Sequence, residues 1–241
     1  AALKVPIESF AGFYTLPALE ELNLSTMYLI GDLPTGISKM KSLKSLSLAG
    51  TNIYSLPDDI GELAENLTAL DLRGCQSLAS LGTSFSKLVN LTSLTLSGCK
   101  VLKELPEGFG NLSKLTTLDL SNCEWLERLS SDFGNLQISS LTLRGCKLLK
   151  EIPESFGKLA KLTSLNFYEC TSLEALPESI GSLTGVTSID LSHCEALTSL
   201  PDGIGQMTGL KKLTMPYTGL TQLPAVISTL SGLEELNLTG A

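Results

Sequence analysis

The sequence predicts an α/β solenoid, with a curved parallel sheet on the concave face and short 3₁₀ or helical turns on the convex face. Two observations predict it. Cysteines recur every 23 or 24 residues, and each closes a segment of the form LxxLxLxxC; they are Cys75, Cys99, Cys123, Cys146, Cys170 and Cys194. Segments resembling LPEGFGNL recur at the same period. Because one such unit is too small to enclose a core, each unit must cover the leucines of its neighbour.

Each unit is expected to begin with one short strand. The unit starts are Leu19, Leu43, Leu67, Leu91, Leu115, Ile138, Leu162, Val186, Leu210 and Leu233. Apolar residues at fixed offsets should point inward, where each buried leucine contributes about 1.5–3 kcal/mol before entropy is subtracted. We therefore predict a single domain over 1–241, with a partial repeat at 1–18, nine complete repeats over 19–232 and a truncated repeat at 233–241.

The return path of each unit follows the pattern Leu-Pro-(Glu/Asp)-x-(Phe/Ile)-Gly-x-Leu, as in 105–112 and 176–183. Proline suits the first position of a short helix, and an acid beside it favours the helix N-terminus. These segments should form short turns on the convex side. Acids recur there at nearly equivalent positions, which indicates helix-start electrostatics or a docking face for a basic partner: Asp58, Glu107, Asp132, Glu154, Glu178 and Asp202.

Composition excludes several classes of function. The chain has 43% hydrophobic and 5% aromatic residues, which suits a leucine-packed solenoid. Its net charge of −8 argues against a nucleic-acid partner, because phosphate binding needs columns of Lys and Arg. No apolar run is long enough to span a membrane, so no membrane partner is expected. Nothing in the composition indicates a cofactor.

The cysteines raise the question of disulfides. Equivalent side chains on stacked units point the same way, so bridging them would distort the backbone. We expect buried, reduced thiols that donate weak hydrogen bonds to loop carbonyls, and hence an intracellular, cytoplasmic protein. The opposing observation is a set of Asn-x-Ser/Thr sequons, which the repeat pattern itself generates, at Asn23, Asn66, Asn90, Asn111 and Asn237.

Residues for catalysis are nearly absent. The chain has one histidine, His193, with Asp190, Ser192 and Glu195 close in sequence. Alternation along a strand sends such neighbours to different faces or columns, so a catalytic triad is not expected. No Cys-x-x-Cys or Cys/His cluster indicates a metal site. The chain is therefore predicted not to be an enzyme.

Protein binding is the remaining function, and the solvent-facing strand positions indicate where it could occur. Most of the concave face carries small polar residues, which are poor interface anchors. The exception is the C-terminal third, where larger residues form a hypothetical contact patch: Tyr168, Glu169, His193, Tyr217, Lys211 and Lys212. Arg73 and Arg144 are further hypothetical partner-binding residues, expected to be isolated outliers in earlier units. The alternative is that these residues are ordinary variation on a solvated face.

A second candidate lies on the flank of the solenoid. Val101, Trp125 and Leu148 occupy one offset in three consecutive units where other units place Ser or Ala. They form an exposed apolar strip or pack under a loop; the sequence leaves both open. Lysines and glutamates alternate from unit to unit beside them, which predicts weak lateral ion pairs: Lys100, Lys103, Glu124, Glu127, Lys147, Lys150 and Glu174.

The run LTSLTLSGCKVLKELPEGFGNL at 91–112 resembles the leucine-rich-repeat (LRR) region of plant TIR-type nucleotide-binding immune receptors, over roughly residues 16–240. The resemblance implies an LRR solenoid of about 9–10 repeats that senses a pathogen effector inside the cell. Substrate-binding LRR domains of bacterial type III effectors with ubiquitin-ligase activity have a similar repeat, and a stand-alone or structural repeat protein is a third possibility. Neither end carries a polar capping repeat, so we expect the chain to be part of a longer protein.

Overall fold

A computed structural model describes residues 6–222 and 225–240. Ala1 to Val5 of the predicted partial repeat, Leu223 and Pro224 of the ninth return path, and Ala241 of the truncated repeat lie outside the described residues. Within them, ten strands form one parallel sheet in chain order. They are β1 (Glu21–Asn23), β3 (Ser45–Ser47), β5 (Ala69–Asp71), β6 (Ser93–Thr95), β7 (Thr117–Asp119), β8 (Ser140–Thr142), β9 (Ser164–Asn166), β10 (Ser188–Asp190), β11 (Lys212–Thr214) and β12 (Glu235–Asn237).

The strands pair at equivalent positions of the repeat. Leu70 of β5 pairs with Leu94 of β6, and Ile189 of β10 pairs with Leu213 of β11. The middle residue of each of these strands is buried, whereas its two neighbours face solvent. Residues at the same position of the repeat therefore lie beside each other in neighbouring units, about 4.8 Å apart.

The turns on the convex side are 3₁₀ helices throughout the described residues. Their bounds are η1 (Ile7–Thr15), η2 (Ile37–Lys39), η3 (Asp58–Leu63), η4 (Phe85–Lys87), η5 (Phe109–Asn111), η6 (Phe133–Asn135), η7 (Glu154–Lys158), η8 (Glu178–Ser182), η9 (Asp202–Gln206) and η10 (Ala225–Thr229). Proline precedes η3, η7, η8 and η9, as the sequence pattern predicts. The solenoid is open at both ends of its sheet.

Acids of the convex stripe bind helix starts across the boundary between units. Glu178 Oε2 accepts a hydrogen bond from Gly203 N at 2.8 Å, and Asp132 Oδ2 accepts one from Gly110 N at 3.0 Å. These contacts support the interpretation of the stripe as helix-start electrostatics, with the partner in a neighbouring unit. The carboxylates thus hold adjacent units together.

The core consists of repeated columns of buried apolar side chains. One column consists of phenylalanines in four consecutive units, namely Phe85, Phe109, Phe133 and Phe156. Their rings lie 6.1 to 6.3 Å apart and within 5° of parallel. Because each of these four units supplies one ring to the same column, the stacking helps to fix the spacing of these units.

On the flank between the sheet and the convex turns, a second ladder joins the units. It includes the short strands β2 (Ile30–Gly31) and β4 (Asn52–Ile53), which pair in parallel. Further along, Glu104, Arg128 and Glu151 form successive parallel bridges. Trp125 N donates to Lys100 O at 2.9 Å. The flank is therefore held in register by backbone hydrogen bonds.

Candidate functional site

The candidate site begins with an unusual backbone position at the end of each strand. The residue just before the cysteine position has a positive φ and is glycine in half of the ten units: Gly50, Gly74, Gly98, Gly145 and Gly240. A left-handed backbone costs other L-residues roughly 1–2 kcal/mol. In three consecutive C-terminal units it is nonetheless Glu169, His193 and Tyr217, with φ of 59°, 60° and 57°. Strained positions of this kind cluster at functional sites.

Side chains at the strand ends build these turns. Asn166 Oδ1 accepts a hydrogen bond from Tyr168 N at 3.0 Å, and Asp190 Oδ1 accepts one from Ser192 N at 2.9 Å. The left-handed residues then donate to the next unit, as His193 N does to Pro216 O at 2.9 Å. The polar residues of the concave column thus have a structural role, and the side chains that follow them are held in fixed positions.

Only the aromatic residues of the predicted contact patch assemble into one continuous stack. The His193 ring lies 5.4 Å from that of Tyr168, edge to face, and 4.8 Å from that of Tyr217, at 21°. The guanidinium of Arg144 lies over the Tyr168 ring at 4.8 Å. A Cβ added to Gly240 would meet the Tyr217 ring at 2.6 Å, so that ring is closely packed at its other end. Arg144, Tyr168, His193 and Tyr217 are called the aromatic stack below.

The expectation that Arg144 is isolated is wrong, because the next unit brings Tyr168 beneath its guanidinium. Arg73 instead pairs with Asp71 of its own unit, with 3.4 Å between Nη2 and Oδ2. It borders a shallow concave groove of about 420 Å³, lined mainly by serines and threonines. Glu169 contributes a left-handed turn beside the stack.

The two predicted lysines belong to a different part of the surface. Lys211 Nζ pairs with Glu234 at 3.0 Å, and Lys212 Nζ pairs with Glu235 at 2.9 Å. These residues lie at the start of strands β11 and β12, whereas the aromatic stack lies beyond the strand ends. The lysines therefore border the same concave face at its opposite edge.

The flank strip is exposed, which decides between the two alternatives that the sequence left open. Trp125 is 48% exposed and Leu148 is 40% exposed, and Val101 is half-buried. Beside them, Glu124 pairs with Lys100 at 3.1 Å and with Lys147 at 3.2 Å, which confirms the predicted lateral ion pairs for these three residues. Among the described residues, Lys103, Glu127, Lys150 and Glu174 form no ion pair, so that part of the prediction is wrong. Hydrogen bonds from these two lysines lower the pKa of Glu124.

The cysteines form a ladder inside the solenoid, as predicted. Each thiol is buried and free and donates to a carbonyl of the preceding unit; Cys123 Sγ lies 3.3 Å from Leu96 O and Cys194 Sγ lies 3.2 Å from Phe167 O. Burial raises the pKa of all six thiols, to about 12 for Cys123 and Cys194. Thr51 replaces the thiol in the second unit and bonds Leu48 O of its own unit at 2.7 Å. The ladder is structural, because protonated, buried thiols are poor nucleophiles.

The surroundings of the histidine indicate packing. The Ser192 hydroxyl donates to Asp190, while the His193 ring stacks between two tyrosines. Among residues 6–222 and 225–240, no group of three or more His, Cys, Asp or Glu could hold a metal ion. Over the same residues, no helix has the length and hydropathy that crossing a membrane requires.

The stacked strands and convex turns define a repeat solenoid of the protein-interaction class. The Leucine Rich Repeat family matches residues 90–112, 114–136 and 137–159. The LRR domain of the type III effector XopL is 30% identical, with a TM-score of 0.73 over 86% of this chain and 72% of that one. The chain belongs to the leucine-rich-repeat family.

Two plant proteins also resemble the chain. The TMV resistance protein N of Nicotiana glutinosa is 46% identical over 67 residues, which is 27% of this chain and 6% of that protein. The chain thus matches only a small part of this curated relative's length. The Arabidopsis receptor kinase HAESA, solved with the peptide hormone IDA and the co-receptor SERK1, is 24% identical, with a TM-score of 0.57 over 90% of this chain and 37% of that one. The HAESA likeness concerns the fold alone.

Proposed function

We propose that this chain is the ligand-sensing LRR part of an intracellular immune-receptor-like protein, and that it contacts its protein partner through the aromatic stack. It carries out no catalysis of its own in this role. The similarity to the TMV resistance protein N supports the receptor assignment. The single observation that carries the binding role is the stack of His193 on Tyr168 and Tyr217.

The aromatic stack combines a conformational cost with side chains that are suited to binding a protein. His193 and Tyr217 occupy left-handed positions where glycine would be unstrained, so their side chains are retained against a conformational cost. Tyrosine and arginine are the residues that most often dominate interface energies. Tyr217 is 51% exposed, and mutual packing limits the rotamer freedom that a partner would otherwise have to restrict.

A second candidate function is substrate binding in a bacterial type III effector. The structural similarity to the XopL domain favours it, because it extends over most of both chains. The binding surface would be the same in both cases, and the difference lies in the source of the partner. A stand-alone repeat protein is the remaining possibility.

The test uses photo-cross-linking from the stack. A photoreactive phenylalanine is placed at Tyr217, and at the exposed convex residue Ser113 as the control, in the full chain expressed in its source cells. A protein partner that cross-links from position 217 but not from 113 is then purified. If the same proteins cross-linked from both positions, the proposal would be contradicted.

The affinity for that partner is then measured for variants whose new residues already occur elsewhere in the repeat. Tyr168→Ser, His193→Gly and Tyr217→Gly restore the residues found at these offsets in other units, so the fold should be retained. Their combination should weaken binding at least about 30-fold, whereas Asn122→Gly, at another left-handed position, should not change it. Unchanged affinity in the triple variant would refute the role of the stack.

A further inference from the structure

The exposed flank strip of Val101, Trp125 and Leu148 carries an inference beyond the concave face. These residues lie at one offset of three consecutive units, about 4.8 Å apart from unit to unit. The next unit has Ser172 at this offset, so the apolar surface ends there. An exposed tryptophan between two aliphatic residues that the core does not need is typical of an interaction site.

Charges frame the strip on both sides. Lys100, Glu124 and Lys147 lie one residue before it, and Lys103, Glu127 and Lys150 lie two residues after it. Four lysines and two glutamates give this border a charge of +2, on a chain whose net charge is −8. The Lys103 ammonium lies 5.9 Å from the centre of the Trp125 ring. Glu124 already pairs with Lys100 and Lys147, whereas Lys103 and Lys150 form no ion pair among the described residues. The border thus keeps a net positive charge, which complements an acidic partner.

The backbone of the flank limits how a partner can bind. Leu148 N donates to Glu124 O at 3.0 Å and Glu127 N donates to Lys103 O at 2.9 Å, so these groups already pair between units. A partner strand cannot add to groups that are already bonded, and the surface therefore offers side chains. It is also held rigid, which lowers the entropic cost of binding.

We infer that the flank strip is a docking site for an acidic amphipathic helix of a partner protein. A helix lying along the solenoid presents apolar residues i, i+3 or i+4, and i+7 at about 5.4 Å per turn, close to the spacing of the units. Acids on both borders of its apolar stripe face the lysine-rich columns. The inference rests on the proposed role in protein recognition, and it concerns a surface separate from the aromatic stack.

The test is a selection with a displayed library of helical peptides. The full chain is the target, and its Leu148→Ser variant, which carries the residue of the following unit, is used to remove peptides that bind elsewhere. Enriched peptides should have apolar residues at i, i+3 or i+4, and i+7, bordered by Asp or Glu. No enrichment, or enrichment of basic peptides, would overturn the inference.

Binding of a selected peptide is followed by fluorescence, because Trp125 is the chain's single tryptophan. Leu148→Ser should weaken binding at least about tenfold, and so should Lys103→Glu with Lys150→Glu. Val89→Ser, which removes an apolar residue that is 41% exposed elsewhere, is the matched control and should leave affinity unchanged. Equal weakening by Val89→Ser, or none by Leu148→Ser, would refute the site.

Two further outcomes separate the possible failures. If wild-type chain dimerises in sedimentation and Leu148→Ser does not, the occupant is a second copy and the helix inference is wrong. The same peptide titration is repeated with Tyr168→Ser and His193→Gly. Binding that survives these changes establishes the flank independently, even if the aromatic stack itself proves to bind no partner.

Discussion

Replacing Gly134 with alanine tests whether close packing between convex turns sets the stability of the solenoid. An added Cβ would overlap the carbonyl oxygen of Ser155 in the next unit, well inside the 3.0 Å that real Cβ contacts keep. The two turns must move apart by more than 1 Å. That movement also stretches the hydrogen bond from Gly134 N to Ser155 Oγ, now 3.2 Å.

The magnitude follows from what lies beneath these turns. Phe133 and Phe156 stack at 6.1 Å between the same two units, and a gap of 0.5–1 Å loses roughly a quarter to a half of a dispersion contact. Overpacking typically costs about 1–3 kcal/mol. We therefore expect Gly134→Ala to lower the free energy of unfolding by about 2–3 kcal/mol.

The assay is urea unfolding followed by circular dichroism, with Gly12→Ala as the matched control. Gly12 also lies in a 3₁₀ helix, but a Cβ there would meet nothing within 4 Å. The control should therefore be neutral or slightly stabilising, because alanine restricts the unfolded chain. Equal unfolding midpoints for the two variants would show that the turns separate without cost, and the packing argument would be wrong.

Two further predictions concern the thiols and the left-handed turns. In the folded state Cys123 and Cys194 keep their protons up to a pKa of about 12, whereas unfolded thiols ionise near pH 9.0. The free energy of unfolding is therefore unaffected by these thiols below about pH 9 and falls as the pH rises above it. The slope is about 1.4 kcal/mol per pH unit and thiol, and Cys123→Ala should make it shallower in urea unfolding at about pH 8 and about pH 10. Asn122→Gly should raise thermal stability by up to about 1 kcal/mol by relieving a φ of 58°, and an unchanged or lower midpoint would contradict this.

The sequence predicted which residues point inward, because each unit repeats the same physical requirement. The LxxLxLxxC pattern placed Leu94 and Cys99 in the core, and both are buried. A proline followed by an acidic residue indicated where short convex helices begin, as at the start of η8. Such features depend on local preferences and on a period, which a single sequence displays.

The aromatic stack was only half visible in the sequence. Tyr168, His193 and Tyr217 stood out by residue type, but Arg144 was expected to be isolated. A sequence signal for the unusual backbone was nonetheless present. The residue just before the cysteine position is most often glycine, and His193 departs from that pattern. That signal indicates a left-handed turn; it does not say which side chains meet.

By itself the sequence determined the LRR solenoid, its register and the buried thiol ladder, because equivalent residues recur at a constant spacing. The tertiary structure alone decided which surface residues touch. Arg144 and Tyr168 lie six residues after their unit starts, whereas His193 and Tyr217 lie seven after theirs. Contact across this change of column depends on the left-handed turns that direct His193 towards Tyr168. Side-chain direction at the end of a strand is a property of the folded backbone, so no period in the sequence records it.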